Sequence, residues 1–290
     1  MTLDIGKVFA NMWAMVKERW LALLGLWAVF FGIMVLFFGV IAGAFGGVLG
    51  AIGAGFSGAS PVDDFASLGF GLGIVLAVIV IYIVFLLIAF AQQGSMIAKA
   101  SPLLNLEFGE AINRGFRGSL TYLGIVVLYL IASLLFGLVL TLVALIMSFL
   151  GSVGEFIVNA AVFVAYVYLA CRFCVIIPVI TVDKVYNPIT AINESWRMTS
   201  GHVLRILVVI LVAAVLAFLL FLVPSAVVMA AFGASLGDVG LGGAISAIFT
   251  MFFVFGLLYL VFSIFSSALF ASLHAEVSDN QAAALGETFE

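Results

Sequence analysis

One arginine, Arg172, stands inside an otherwise uncharged stretch running from Phe156 to Ile180. Placing an ionised side chain in hydrocarbon is costly, so an ionisable group within a membrane span marks a candidate ligand or transport site. Pro178 weakens the helix just beyond it, so the guanidinium also has a route to snorkel into the headgroup layer. Arg205 has the same ambiguity, one turn into a later apolar run beyond His202. Together Arg114, Arg117, Arg172, Arg197 and Arg205 form a candidate belt for phospholipid phosphates. The planar donor fork of guanidinium suits phosphate oxygens, and basic clusters next to spans bind anionic lipid. Generic charge that merely sets topology is the other reading. Gln93, beside Gln92, lies near the end of the second apolar run, a place comparable to Arg172 in the fourth. Asn159 and Tyr166 share one face of the fourth run, and Tyr259, Ser263, Ser266 and Ser267 cluster in the sixth. Such groups either bond between helices, for about 0.6 kcal/mol each, or line a polar cavity.

Other chemistry is poorly supplied. Cys171-x-x-Cys174 has a redox or metal spacing, but it sits in an apolar run with no second cysteine pair. A metal needs three or four ligands, so ordinary helix packing is expected there. His202 and His274 are the only histidines, both in hydrophobic surroundings. The chain contains no phosphate loop, no His-Glu-x-x-His zinc signature and no Ser/His/Asp set. It also lacks a basic stripe of the kind that binds nucleic acid. The expectation is a non-enzymatic protein without cofactor or metal.

The elements that must position these residues follow from composition. The chain is 66% hydrophobic and 8% charged, against about 25% charged in soluble domains. A span of about 30 Å of hydrocarbon takes about 20 helical residues. Six helices are expected, at about 20–43, 68–92, 119–149, 156–180, 203–231 and 243–273. The runs are continuous rather than alternating, which argues against a β-barrel. The first run is longer than the roughly 7–15 apolar residues of a cleaved signal, and an amphipathic segment precedes it.

The cations orient the helices. Lys7, Lys17 and Arg19 precede the first run; Lys99, Arg114 and Arg117 lie between the second and third; Arg172, Lys184, Arg197 and Arg205 surround the junction of the fourth and fifth. The alternate connections, at roughly 44–67, 150–155 and 233–243, contain no Lys or Arg. This is the positive-inside pattern, and an even number of spans then puts both termini in the cytoplasm.

The segments before the first, third and fifth helices correspond to one another. Leu3-Asp4-Ile5-Gly6-Lys7-Val8-Phe9-Ala10-Asn11-Met12-Trp13 aligns with Leu106–Phe116 and with Tyr186–Trp196. Ile5, Val8, Phe9, Met12 and Trp13 recur at helical spacing, and the same face returns in the other copies. Asp4, Glu107 and Asn187 suit a helix N-terminus by capping it or opposing its dipole, and Pro188 suits a first turn. The chain is therefore expected to be one membrane domain over 1–290, with repeats at about 1–100, 101–183 and 184–278 and a short cytoplasmic tail at 279–290. Each repeat would be an amphipathic cytoplasmic helix in the headgroup layer followed by two spans, all three in parallel orientation. Trp13, Trp20, Tyr122 and Trp196 are the candidate interfacial anchors. Glycines gather in the first outer region, and the Gly39/Gly43/Gly47 spacing suggests close helix approach up to about Gly50, with flexible loop after it.

The stretch Arg172-Phe173, Pro178, Asp183, Ala191-Ile192, Ser195-Trp196-Arg197-Met198-Thr199, Gly201 and Arg205 resembles the membrane domain attached to some bacterial glycerophosphodiester phosphodiesterases, and its free-standing relatives. The specific likeness covers about 35 residues. It implies a six-helix protein of the bacterial inner membrane, connected with phospholipid or glycerolipid metabolism. The soluble phosphodiesterase domain has no counterpart here, so its activity is not carried over. The expected function is binding, organising or moving phospholipid or another amphiphile, with membrane lipids as partners. A structural subunit of a membrane complex, a homo-oligomer, and a small-solute transporter or channel are the alternatives.

Overall fold

The computed structural model describes residues 3–55, 64–235 and 241–289, and every regular element among them is helical. The chain forms α1 (Ile5–Gly55), α2 (Asp64–Ala100), α3 (Phe108–Met147), α4 (Ser152–Phe173), α5 (Ile176–Thr181), α6 (Pro188–Met198), α7 (Val203–Ser235) and α8 (Leu241–Phe289). Six stretches are long and apolar enough to cross a membrane: Ile5–Gly43, Val75–Ala100, Phe108–Leu150, Ser152–Thr181, Val203–Ala226 and Thr250–Ser278. The chain is thus a multi-pass, all-α protein by the length and composition of its helices. Spans adjacent in the sequence pack together, α4 packs on α7, and α8 returns to α1, closing a ring. The short α5 lies against α2, α3, α6 and α8.

Two amphipathic segments depart from expectation. In α1 and α3 the helix runs without a break from the amphipathic turns into the apolar run. Nothing in either sequence interrupts the backbone ladder at that junction. Only α6 is a separate amphipathic helix, ending at a turn where Gly201 takes a φ of +81°, a left-handed conformation that suits glycine. The capping expectation holds unevenly. Asn187 Oδ1 accepts from the N–H groups of Ile189 and Thr190, and Asp4 Oδ1 accepts from Lys7 N–H. Glu107, one methylene longer than Asp, makes no side-chain cap. The expected weakness near Pro178 falls one turn before the ring, at Cys174–Val175, where α4 ends and α5 begins. Proline cannot donate to the carbonyl four residues back and crowds it.

Among the described residues, burial is concentrated at the end of the molecule that carries the cations. Residues such as Leu23, Leu26, Met96, Ile97, Val179, Ile180 and Leu273 are buried there, while the far halves of α3 and α4 remain largely exposed. Physics favours this division. Between helices in lipid there is no hydrophobic drive, so contact depends on close van der Waals packing and hydrogen bonds.

The glycine expectation needs correction. A Cβ on Gly39 or Gly43 would meet nothing within 4 Å, so neither makes a close approach. Gly47 and the outer loop around Ser60-Pro61 fall on positions whose contacts lie outside the described residues, and α1 itself continues to Gly55 rather than giving way to loop at Gly50. The tight contact is instead between α2 and α3. A Cβ on Gly115 would lie 2.0 Å from Ser95 Oγ and 2.3 Å from the carbonyl oxygen of Ala91.

Candidate functional site

The cations that the sequence groups as one belt have separate tasks in the fold. Arg19, not among the candidates, points its Nη1 at the end of α2 and donates to the carbonyls of Lys99, Ser101 and Leu104 at 2.8, 3.0 and 2.9 Å. Lys99 in turn donates to the carbonyl of Leu106. Arg114 reaches the carbonyls of Thr181 and Val182 at the end of α5, both at 3.4 Å. Arg205 donates to the carbonyl of Leu3 at 2.9 Å. A helix C-terminus leaves carbonyls unpaired and carries partial negative charge. Arg19 and Arg114 thus satisfy and neutralise the ends of α2 and α5, whereas Leu3, the partner of Arg205, precedes α1. Arg197 pairs with Glu194 on an exposed face, and Arg117 is exposed.

Arg172 bonds a tyrosine, Tyr168, that lines an open cleft. Its Nε and Nη2 donate to the hydroxyl of Tyr168 at 3.0 and 2.8 Å, while Nη1 donates to the Trp196 carbonyl at 3.1 Å and to Ser200 Oγ at 3.3 Å. The guanidinium lies 4.5 Å from the centre of the Trp196 ring and 5.2 Å from that of Tyr168. Cation–π attraction of this kind fixes the group without neutralising it. The partners are also held from the other side: Ser195 Oγ donates to the Arg172 carbonyl at 2.8 Å. Ser195 is fully buried, so α6 is fastened against the end of α4.

Tyr168 is one wall of a groove between α3 and α4 with a volume of about 710 Å³. Tyr129, Ser133, Phe136, Tyr166 and Phe173 line the rest, and several of these are well exposed, so the groove opens away from the bundle. Its walls are almost wholly apolar, and one lining residue, Tyr168, carries a hydroxyl held by a cation. An apolar cleft of about 300–1,000 Å³ with a few convergent polar groups is the usual form of a ligand site. An elongated apolar tail with a charged or hydrogen-bonding head matches that division.

The remaining candidates are placed as follows. Gln93 is half-buried on α2, and Gln92 beside it is buried. Asn159 is exposed on α4 and is not part of the groove, whereas Tyr166, on the same helix, is. Of the aromatic anchors, Trp13, Trp20 and Trp196 are 49%, 51% and 38% exposed. Tyr122 is half-buried, with its ring centre 4.0 Å from that of Phe90, and so packs between helices rather than at a rim.

One polar cluster escaped the sequence. His274 is fully buried, and its Nε2 lies 2.9 Å from Oδ2 of Asp183. Nearby, Lys7 Nζ meets Glu276 at 2.9 Å, and Ser272 Oγ donates to the Val8 carbonyl at 2.7 Å. Lys184, next to Asp183, adopts a φ of 61°, which non-glycine residues rarely take. These contacts join the start of α1, the α5–α6 turn and α8. His274 is thus buried beside apolar core residues as expected, but with one polar partner in Asp183, while its Nδ1 is buried without a hydrogen-bond partner. Asp183 and His274 are 91 residues apart in the chain, and no spacing rule connects them. His202, by contrast, sits in the α6–α7 turn with its pKa below the ordinary 6.5, first through partial burial and then through the nearby Arg205. Cys174 Sγ donates to the Cys171 carbonyl, and both cysteines are unpaired thiols. Among the described residues, no three His, Cys, Asp or Glu side chains gather as metal ligands would.

Comparison with family models, with curated proteins and with solved structures returned no match to this chain.

Proposed function

We propose that this multi-pass protein binds a phospholipid or a similar anionic amphiphile, and organises or moves it, without catalysing a reaction on it. The observation that carries this reading is the α3–α4 groove, apolar along its walls and lined by Tyr168, whose hydroxyl the half-buried Arg172 holds. A tail in the groove leaves a phosphate beside the guanidinium fork, which suits such oxygens geometrically and electrically. Tyr168 already accepts two donors from Arg172, and its own hydroxyl proton is available to a headgroup oxygen.

The bacterial inner membrane is the proposed location, with both termini in the cytoplasm. The confinement of Lys and Arg to one set of connections supports that orientation, and the resemblance of the Arg172–Arg205 stretch to the phosphodiesterase-associated membrane domain supports the bacterial and lipid context. Three parallel repeats make up the domain in this reading. Val8, Ala111 and Ala191, at matching positions of the three amphipathic segments, are each fully buried, and the ring of spans follows the chain order.

The test is a photoreactive phospholipid incorporated into membranes holding the protein. Cross-links should concentrate at Phe136 and Tyr166, and Arg172→Gln should lower the yield with anionic lipid more than with zwitterionic lipid. Labelling spread evenly over exposed helix faces, and indifferent to that substitution, would overturn the proposal. A second reading, as an assembly subunit, is favoured by the hairpin between α3 and α4, where Phe149 is 90% and Phe156 74% exposed. Cross-linking from position 149 in native membranes to another protein would support it.

A further inference from the structure

The amphipathic segments supply a common ruler. Five residues beyond the shared positions Val8, Ala111 and Ala191 stand the aromatic residues Trp13, Phe116 and Trp196. Each aromatic packs against a ring on a span of the preceding unit. Phe116 meets Phe30 of α1 at 5.6 Å between ring centres, Trp196 meets Phe173 of α4 at 6.0 Å, and Trp13 stacks on Phe265 of α8 at 5.9 Å. The arrangement is cyclic, since the first unit's Trp13 serves the last pair of spans.

The clefts beneath these aromatics differ in one position. Twenty-two residues beyond the shared site are Phe30, Ser133 and Ala213. Phe30 is fully buried and fills its cleft with Ile88 and Ala91. Ser133 and Ala213 are small, and each lines an open groove: the one between α3 and α4, and a second of about 390 Å³ between α7, α8 and the start of α1. Between α1 and α7 the register is also supported by burial, since Leu23 and Leu26 and their counterparts Ile206 and Val209 are all fully buried, whereas Tyr129 at the matching place in α3 is exposed.

Each open groove also has a lining aromatic that a cation contacts: Tyr168 is bonded by Arg172, and Trp13 lies under Lys17. Arg172 stands 4.5 Å from the Trp196 ring, and Lys17 stands 5.3 Å from the Trp13 ring. The second groove is lined by Met12, Leu216, Leu220 and Phe262 among others, with almost no polar surface of its own.

We infer that the α7–α8 groove is a second phospholipid site, so that one chain holds two lipids, each with an acyl chain over Ser133 or Ala213 and a phosphate beside Arg172 or Lys17. The third cleft is closed by Phe30. This rests on the amphiphile-binding reading but adds a site, a stoichiometry and the residues that set it. Apolar walls alone would suit a partner helix as well. The cation beside each groove, half-buried Arg172 or exposed Lys17, favours an amphiphile with an anionic head, because a helix buried there brings no phosphate to meet it.

The experiment counts phosphatidylglycerol retained by the whole protein in mild detergent, using native mass spectrometry. Two lipids per chain are expected. Ser133→Phe and Ala213→Phe should each remove one, and the double variant both. Leu216→Trp, at an exposed lining position, offers a second way to block the α7–α8 groove should Ala213→Phe not fold. Lys17→Gln lies on the surface and should weaken retention of the second lipid about fivefold, the effect of one cation near an anionic interface. A single retained lipid, lost with Ser133→Phe and indifferent to Ala213→Phe, Leu216→Trp and Lys17→Gln, overturns the second site while leaving the proposed function intact. No retained lipid, or a lipid number that falls smoothly with detergent alike in all variants, overturns both. A copurifying polypeptide displaced by Leu216→Trp would also overturn the inference in favour of a protein occupant.

Discussion

Gly115→Ala tests the α2–α3 crossing that anchors the buried end of the molecule. The new Cβ would lie 2.0 Å from Ser95 Oγ, 2.3 Å from the Ala91 oxygen and 2.9 Å from the Ser95 nitrogen. Two of these atoms are backbone, so no change of rotamer relieves the clash. To restore ordinary contact near 3.4 Å to the Ala91 oxygen, the helices must part by roughly 1 Å. Overfilling a packed site costs about 1–3 kcal/mol, sometimes more, whereas alanine regains up to about 1 kcal/mol of helix propensity. A net loss of about 1–2 kcal/mol is expected, read as an earlier thermal unfolding transition in detergent. Gly137→Ala is the matched control, on the same helix with nothing within 4 Å of its Cβ, and should be neutral or stabilising. Adding Ser95→Ala to Gly115→Ala should not restore stability, because the Ala91 carbonyl remains in place. If Gly115→Ala proves as stable as Gly137→Ala, the close crossing and the account of the core built on it are wrong.

Two other outcomes follow from the cations and the histidine. Arg19→Gln should destabilise the folded protein by about 1.5–3 kcal/mol, the worth of a charge-assisted bond to partly buried carbonyls, whereas Arg117→Gln at an exposed site should change little; equal melting curves for the two would refute the carbonyl-bridging role. For His202, the folded pKa lies below 6.5. As pH falls through 6.5, the unfolded chain gains a proton before the folded one, so stability is full above that pH and is lost on acidification until the folded pKa is passed. His202→Gln should flatten this part of the pH–stability curve, and an unchanged slope would refute it.

The apolar runs were legible because length and hydropathy alone separate a span from a soluble helix, and six emerged from both. The amphipathic segments were legible as faces but not as elements, since only Gly201 gives a signal for where a helix stops before its span. Glycine spacing pointed to Gly39 and Gly43, yet the fold uses Gly94, Gly115 and Gly118 in closer contacts with neighbouring helices. A small-residue stripe shows where helices can touch, and only the partner shows whether they do. Charge position was legible, but charge employment was not. Arg19 and Arg114 spend their donors on helix ends that only the fold brings within reach. Arg172 was singled out because it interrupts a span, and it holds the hydroxyl of Tyr168, which lines the α3–α4 groove. Asn159 had no such signal beyond polarity, and it lies outside.

The gathering of tight contacts at one end has a mechanical result. Rods clamped at a common base, with the far halves of α3 and α4 largely exposed, act like the legs of a folding stool, whose spread depends on the layer in which they stand. A thin bilayer obliges long apolar rods to lean, and a thick one lets them straighten. The width of any crevice between neighbouring legs then varies with membrane thickness, with no change at the clamp.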